Sequence, residues 1–471
     1  MKCSALAKAC VALVGFWGVV PTFAGCDSGG SSEAPDSAAG GSISAGGSTS
    51  AGGATGTGGR SSAGGATSAG GTASTGGASA MGGATAKGGT SSAGGAIGTG
   101  GRSSAGGATS AGGATGAGGA TGAGGATGAG GSANTGGTTG TGEAGVALQG
   151  RFDKTDAAKP SFGWSGSAMV ARFQGTGATL RIDGSPNQFA VVVDGTLVSS
   201  VLKVVSGTSQ YALATGLASG VHDVVVWKRT EGNQGENRFL GLDVSGGQLQ
   251  APPATPDRRI EIYGDSITAG YGMDGVGPNC SFSADTENHY SSYSALTSRS
   301  LGAELHAIAW SGIGMYRNYG VSGASSDAMP YVYARTLPNQ AASAWDFGTW
   351  KPHAVVINLG TNDASTGGDP GAPYETAYLS FVRTLRQKYP DTFFVLTIGP
   401  MLDGSNLTAI KGHIQNVIAT RKTEGDSKLS FLEFPVQSAA DGYGCDWHPS
   451  AATNAKMATL LTAELKTRLG W

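Results

Sequence analysis

The run Ile260-Glu261-Ile262-Tyr263-Gly264-Asp265-Ser266-Ile267-Thr268-Ala269-Gly270 changes character at its centre. A short apolar stretch reaches Gly264, turns through Asp265, and delivers Ser266 to residues that start a helix. Working outward, four more apolar runs of similar length follow at 305–310, 354–359, 393–398 and 429–434. Between and after them lie amphipathic stretches at 287–301, 374–389, 407–422 and 451–469. Short continuous apolar runs alternating with helices predict an α/β domain over 258–471, a parallel sheet layered between helices. In such sheets, sites form beyond the carboxyl ends of the strands.

Upstream, residues 146–250 read differently. Apolar and polar positions alternate in short runs at 168–173, 178–182, 189–193 and 222–227, with turn residues Asp183-Gly184, Asp194-Gly195 and Ser219-Gly220 between them. That spacing predicts an antiparallel β-sandwich, jelly-roll-like in its strand density. Pro252, Pro253 and Pro256 mark the join between the two domains.

The first third of the chain belongs to neither. Of the 84 glycines, 44 fall between Asp27 and Gly145, a stretch with seven charged residues and no aromatic one. It cannot bury enough apolar surface to offset ordering entropy, so residues 26–145 are expected to be a disordered stalk. Residues 56–71 recur identically at 98–113, the mark of a duplicated unit. Before the stalk, Lys2 and Lys8 precede an apolar run at 9–20, too short to span a bilayer but the length of a secretory signal. The net charge of −2 and the lack of any basic block argue against nucleic-acid binding.

Chemistry is concentrated behind the strands. Gly264-Asp265-Ser266 follows the first, Gly360-Thr361-Asn362-Asp363 the third, and Gly444-Cys445-Asp446-Trp447-His448-Pro449 opens the last helix. The histidines 222, 289, 306, 353 and 413 are scattered singly, so no metal site is legible, and no cofactor-binding turn is present.

In this order the blocks resemble the SGNH (GDSL-type) hydrolase superfamily. With Trp310-Ser311-Gly312-Ile313-Gly314-Met315-Tyr316-Arg317-Asn318 and the Asp446-Trp447-His448-Pro449 ending, they look most like carbohydrate esterase family 2. That resemblance implies a sandwich followed by an SGNH domain, and removal of acetyl groups from xylan or related glycans by serine acyl-enzyme chemistry. It assigns Ser266 as nucleophile and His448 as base, with the Ser266 amide, the Gly312 amide and the Asn362 side chain as oxyanion hole. Gly314 competes with Gly312 for that place. Asp265 and Asp363 read as loop scaffolding. The superfamily's usual acid stands three residues before the base, where this chain has Cys445; Asp446, two before it, is a candidate orienting acid or a structural residue beside a Ser-His dyad.

Phe23-Ala24-Gly25-Cys26 resembles a lipoprotein cleavage box, which would make residues 1–25 a signal peptide and Cys26 a lipid acceptor holding an exported protein on a membrane. With Cys3 and Cys10 removed and Cys26 lipidated, Cys280 and Cys445 remain as a disulfide candidate. The expected partner is an acetylated polysaccharide or oligosaccharide. The competing readings are an SGNH lipase or thioesterase acting on acyl chains, and a non-catalytic surface-anchored glycan-binding protein.

Overall fold

The structure, a computed structural model, describes residues 145–471. The expected signal peptide, Cys26 and the expected stalk up to residue 144 lie outside the described residues.

Five parallel strands form the sheet of the C-terminal domain: β1 (Arg258–Gly264), β2 (Ala303–Ala309), β3 (Ala354–Asn358), β4 (Phe393–Ile398) and β5 (Leu429–Glu433). Their order is β2-β1-β3-β4-β5. The winding therefore reverses at β1, and the crevice between the ends of β1 and β3 is the switch point where such sheets bind ligands. The helices are α1 (Ser266–Ala269), α2 (Tyr293–Ser300), α3 (Met329–Val332), α4 (Thr361–Ala364), α5 (Ala372–Lys388), α6 (Gly404–Thr423) and α7 (Ala451–Leu469). Alternate strand residues serve opposite faces. Val355, Ile357, Phe394 and Leu396 pack under α5 and α6, whereas Ala354, Val356 and Val395 pack with α7. Both faces are covered, which is why the strands are mostly apolar on both sides; Glu261, Glu304 and His306 are buried exceptions on β1 and β2.

One helix is shorter than its sequence pattern suggested. Residues 287–292 are not part of α2: the Asn288 side chain accepts from Ser291 N in a 3-10 turn, and Ser292 caps the helix that starts at Tyr293. Side chains that bond their own backbone compete with helix at this point.

The N-terminal domain is two antiparallel sheets face to face. Ala168–Gly175, Gly220–Lys228 and Asn187–Val193 are the main strands of one, and Asn237–Ser245 and Gly177–Gly184 of the other. Phe173, Leu180, Phe189, Val226 and Phe239 fill the space between. The Asp194-Gly195 pair turns a hairpin with both residues at positive φ, the geometry that matches strand twist.

The seam between the domains is polar and buried. Arg151 leaves the sandwich and enters the C-terminal domain, donating to the carbonyls of Tyr333 and Arg335 and to Glu261 Oε1 at 2.8 Å. Its guanidinium and the Glu261 carboxylate are wholly shielded from solvent. Nearby, Trp227 of the sandwich joins the apolar cluster of Ile260, Tyr293 and Leu301.

Candidate active site

Gly264 ends β1 because the chain must fold back on itself: a Cβ there would stand 2.0 Å from Thr268 Oγ1. Asp265 then caps α1, its carboxylate accepting from Ile267 N at 3.0 Å. Ser266 is thereby fixed as the first helical residue. Because α1 is a single turn, Ser266 gains a local amide donor and little macrodipole.

His448 Nε2 stands 2.8 Å from Ser266 Oγ, although 182 residues separate them in sequence. The other ring nitrogen, Nδ1, faces two backbone carbonyls, Cys445 O and Asp446 O, each at 3.2 Å. Two acceptors at Nδ1 fix the tautomer with its proton there, leaving the Nε2 lone pair for the serine hydroxyl. Burial pushes the His448 pKa down to about 4, against the pull of the two carbonyls and the Asp446 charge. The ring is neutral through the physiological range.

The Asp446 carboxylate is not on the imidazole. Residues 445–447 form a 3-10 turn with Asp446 at φ 51° and Trp447 at φ 61°, not an extended segment. This geometry sends the carboxylate away from the ring, where Oδ2 accepts from Tyr271 OH at 2.8 Å and Phe282 N at 3.1 Å. The orienting-acid reading of Asp446 is thus replaced by a bracing one. Tyr271 in turn lies over His448, centroids 4.1 Å apart, and stacks on Phe282 at 4.5 Å. Cys280 and Cys445 are joined as a disulfide, and Cys445 N and Asp446 N donate to Gly272 O and Cys280 O. The loop after the nucleophile and the loop carrying the base are one stapled unit.

Opposite them lies the second block. Trp310 N donates to Gly264 O, and Ile313 N closes a turn on Trp310 O with Gly312 at φ +79°. That conformation suits glycine. The amides of Ser266 and Gly312 have no acceptor among the described residues, whereas the Gly314 amide is taken by Asn318 Oδ1 at 3.0 Å. Of the two glycines, only Gly312 has a donor to offer. Asn362, at the start of α4, is held by Ile313 O at 2.8 Å and Asp265 Oδ2 at 3.3 Å, tying the block to the nucleophile turn. Asp363 gathers three successive amides, Met315, Tyr316 and Arg317, and shapes the loop. Burial raises the Asp265 pKa to about 7, with the neighbouring Asp363 charge adding to it.

Trp447 stays 55% exposed beside the base and leans on Tyr443. Tyr316 packs against the core instead. The remaining histidines are engaged elsewhere: His289 accepts from Trp227 Nε1, His306 stacks on Trp350, and His413 bridges Glu375 and Asp369. Tyr271, Phe282 and the sandwich residue Glu231, whose Oε2 accepts from Ser311 N at 2.6 Å, escaped the sequence reading. Tyr271 lies within the block 262–272 that carries the family resemblance but had no role assigned there; no motif marks Phe282 or Glu231.

Comparison with known proteins agrees with this architecture. Residues 148–253 match the carbohydrate esterase 2 N-terminal family model, and 262–456 the GDSL-like lipase/acylhydrolase family model. The chain is 44% identical over 328 residues to the cellulase/esterase CelE of Acetivibrio thermocellus, covering 69% of this chain and 40% of that one. The match thus spans less than half of that relative. It is 31% identical to an acetylxylan esterase/glucomannan deacetylase of Cellvibrio japonicus, covering 66% of this chain and 86% of that protein. A solved family two carbohydrate esterase from Clostridium thermocellum, in complex with cellohexaose, superposes with a TM-score of 0.67 at 43% identity, covering 69% of this chain and all of that one. With both domains in family order and the site blocks behind the expected strands, the chain belongs to carbohydrate esterase family 2.

Proposed function

We propose that the protein is an extracytoplasmic carbohydrate O-acetyl esterase that works by serine acyl-enzyme chemistry. The observation that carries this reading is the 2.8 Å contact of Ser266 Oγ with a His448 Nε2 whose opposite nitrogen is held by carbonyls. Ser266 Oγ attacks the acetyl carbonyl as its proton passes to His448 Nε2. The oxyanion is met by the free amides of Ser266 and Gly312, and by Asn362 Nδ2 once it gives up one of the two bonds, to Ile313 O and Asp265 Oδ2, that engage both its hydrogens here. Collapse of the intermediate returns the proton to the departing sugar oxygen and leaves acetyl on Ser266. Water, deprotonated by the same nitrogen, then releases acetate and regenerates the serine. Exposed Trp447 beside the base offers an aromatic face to a sugar ring, which favours glycan over acyl-chain substrates.

The names of the relatives support acetylated xylan or glucomannan as the substrate class. Export, lipid attachment through Cys26 and display on a membrane by the glycine-rich segment complete the proposal and rest on sequence alone. The test is acetate release from acetylated xylan and glucomannan by the purified protein, beside fatty-acid release from long-chain esters. Acetate release abolished in Ser266→Ala is expected; preference for long-chain esters would overturn the assignment. Partition of the intact protein into detergent, lost in Cys26→Ser, tests the anchor.

A further inference from the structure

We infer that Glu231, contributed by the β-sandwich, is a positioning residue for the oxyanion hole of the neighbouring domain. The inference rests on the esterase reading given above. Glu231 follows the strand Gly220–Lys228 and is fully buried in the domain seam. Its Oε2 accepts from Ser311 N at 2.6 Å, a hydrogen bond between residues of different domains. Ser311 is the residue before Gly312, and the two are the central residues of the turn closed by Ile313 N on Trp310 O. The direction of the Gly312 N–H is set by the peptide that joins them. Within the hydrolase this turn is secured at its two flanks, by Trp310 N on Gly264 O and Tyr319 N on Gly312 O. Asn362 Nδ2 adds a third hold from the hydrolase on Ile313 O; the bond to Glu231 is the one that comes from the sandwich, and it acts on the peptide immediately before the one carrying the Gly312 donor.

Glu231 is itself held in place. Lys228 Nζ donates to Thr230 O at 2.7 Å and Glu231 O at 3.1 Å. The next residue is clasped from the hydrolase side, where Asn339 Nδ2 donates to Gly232 O at 2.6 Å. Arg229 binds Asp274 at 2.6 Å and Glu287 O at 3.1 Å, so the segment 228–232 is docked along its length. Taking a carboxyl group wholly out of water is unfavourable, and the hydrogen bond from Ser311 N offsets part of that cost. The gain here is a rigid donor, since an oxyanion hole works only if its dipoles are aligned before the charge appears.

The test uses the full chain with Glu231→Leu and Glu231→Asp, which remove or withdraw the acceptor, and Glu231→Gln, which keeps an acceptor oxygen. Three readouts are taken: steady-state hydrolysis of 4-nitrophenyl acetate, the rate at which a 4-nitrophenyl alkylphosphonate labels Ser266, and the thermal midpoint. Phosphonylation places a phosphoryl oxygen where the oxyanion forms. Loss of one full oxyanion donor costs about 10²–10³ in kcat. Misdirecting the Gly312 donor should therefore lower kcat and labelling together by roughly 10- to 100-fold, with KM changed less than about threefold. Glu231→Gln should restore both to within about fivefold of the parent. If Glu231→Leu does not fold, Glu231→Asp carries the comparison. Unchanged kcat and labelling in the folded acceptor-removing variants would overturn the inference, as would a folded Glu231→Gln as impaired as they are. A parent protein labelled at Ser266 but inert on acetyl esters overturns the proposed function alone, and the labelling series still decides on Glu231. A parent protein that is neither labelled nor active overturns both.

Discussion

Asp446→Asn separates a dyad from a triad. Both hydrogen bonds received by this carboxylate, from Tyr271 OH at 2.8 Å and Phe282 N at 3.1 Å, end on the same oxygen, Oδ2. An asparagine carbonyl has two lone pairs and can take both. The left-handed backbone at φ 51° also tolerates asparagine as it does aspartate. What disappears is the charge assistance on two bonds, about 0.5–1 kcal/mol each. Since neither bond reaches the imidazole, stability should fall by about 1–2 kcal/mol, and kcat/KM by no more than about tenfold, equivalent to 1.4 kcal/mol at the transition state. Loss of the acid from a working triad costs about 10⁴. His448→Ala removes the base itself and should cost about 10⁴ or more. The assay is kcat/KM on an aryl acetate and acetate release from acetylated xylan, with thermal melts on each variant. A folded Asp446→Asn as slow as His448→Ala would refute the carbonyl-held dyad. Asp446→Ala is a different perturbation: it strands Tyr271 OH and Phe282 N and puts alanine, which lacks the polar side chain that lets Asp or Asn tolerate αL, at positive φ, so it should lose roughly 3 kcal/mol of stability as well.

With the His448 pKa lowered to about 4, the base stays unprotonated well below neutrality, so kcat/KM should hold level from pH 8 to about 5 and fall only below that; an acid limb above pH 6 would contradict it. His289 is buried with Trp227 Nε1–H directed at its Nδ1, and its pKa is lowered to about 3. The unfolded chain therefore takes up a proton at this position below about pH 6.5 that the folded one refuses, and stability is lost as pH falls; between pH 7 and 5 the loss should be about 2 kcal/mol greater in the parent than in His289→Gln, read by urea unfolding. Arg151→Met should cost about 3–5 kcal/mol by stranding the Glu261 carboxylate, while Arg151→Met with Glu261→Met recovers most of it; equal losses in the single and double variants would deny the pairing. Removing both Cys280 and Cys445 opens a closure of 165 residues, about 5 kcal/mol by chain entropy, and should lower the melting midpoint by on the order of 10 °C.

The parallel sheet was legible because its strands are buried on both faces and stand out as short, predominantly apolar runs; β1, β3 and β4 lie within about two residues of those runs. Ser266, Asn362 and His448 were legible because each sits in a short polar block immediately after an apolar run or before the last helix. The sandwich was legible as a class and less so as strands: pieces of two residues, such as Phe152–Asp153 and Ser161–Phe162, carry no periodicity. What braces the site was legible only in part: the Cys280–Cys445 bridge and the scaffolding place of Asp265 and Asp363 were, the other braces were not. Tyr271, Phe282 and Glu231 act through contacts across 80–175 residues of sequence, and an isolated aromatic or acidic residue has no local signature for such a contact. The choice for Asp446 between orienting acid and structural residue stayed open in the sequence for a local reason: two consecutive non-glycine residues at positive φ are rare, and nothing in Cys445-Asp446-Trp447 announces them.

Replacing an orienting carboxylate by two carbonyls changes what the rest of the fold must supply. A carboxylate under Nδ1 both aims the ring and stabilises the imidazolium, whereas carbonyl dipoles at 3.2 Å do each more weakly. The ring must then be aimed by other means, and its surroundings show them: Tyr271 covers one face, the Asp446 carboxylate clamps Tyr271 from behind, and the disulfide pins Cys445, which carries one of the two carbonyls. Burial lowers the pKa of this base to about 4, and the two carbonyls and the Asp446 charge offset only part of that. Such a base is a poor proton acceptor in the ground state, so more of the barrier must be removed at the oxyanion. That places the energetic weight of the site on the Gly312 turn and on whatever holds it, which in this protein includes a residue from the other domain.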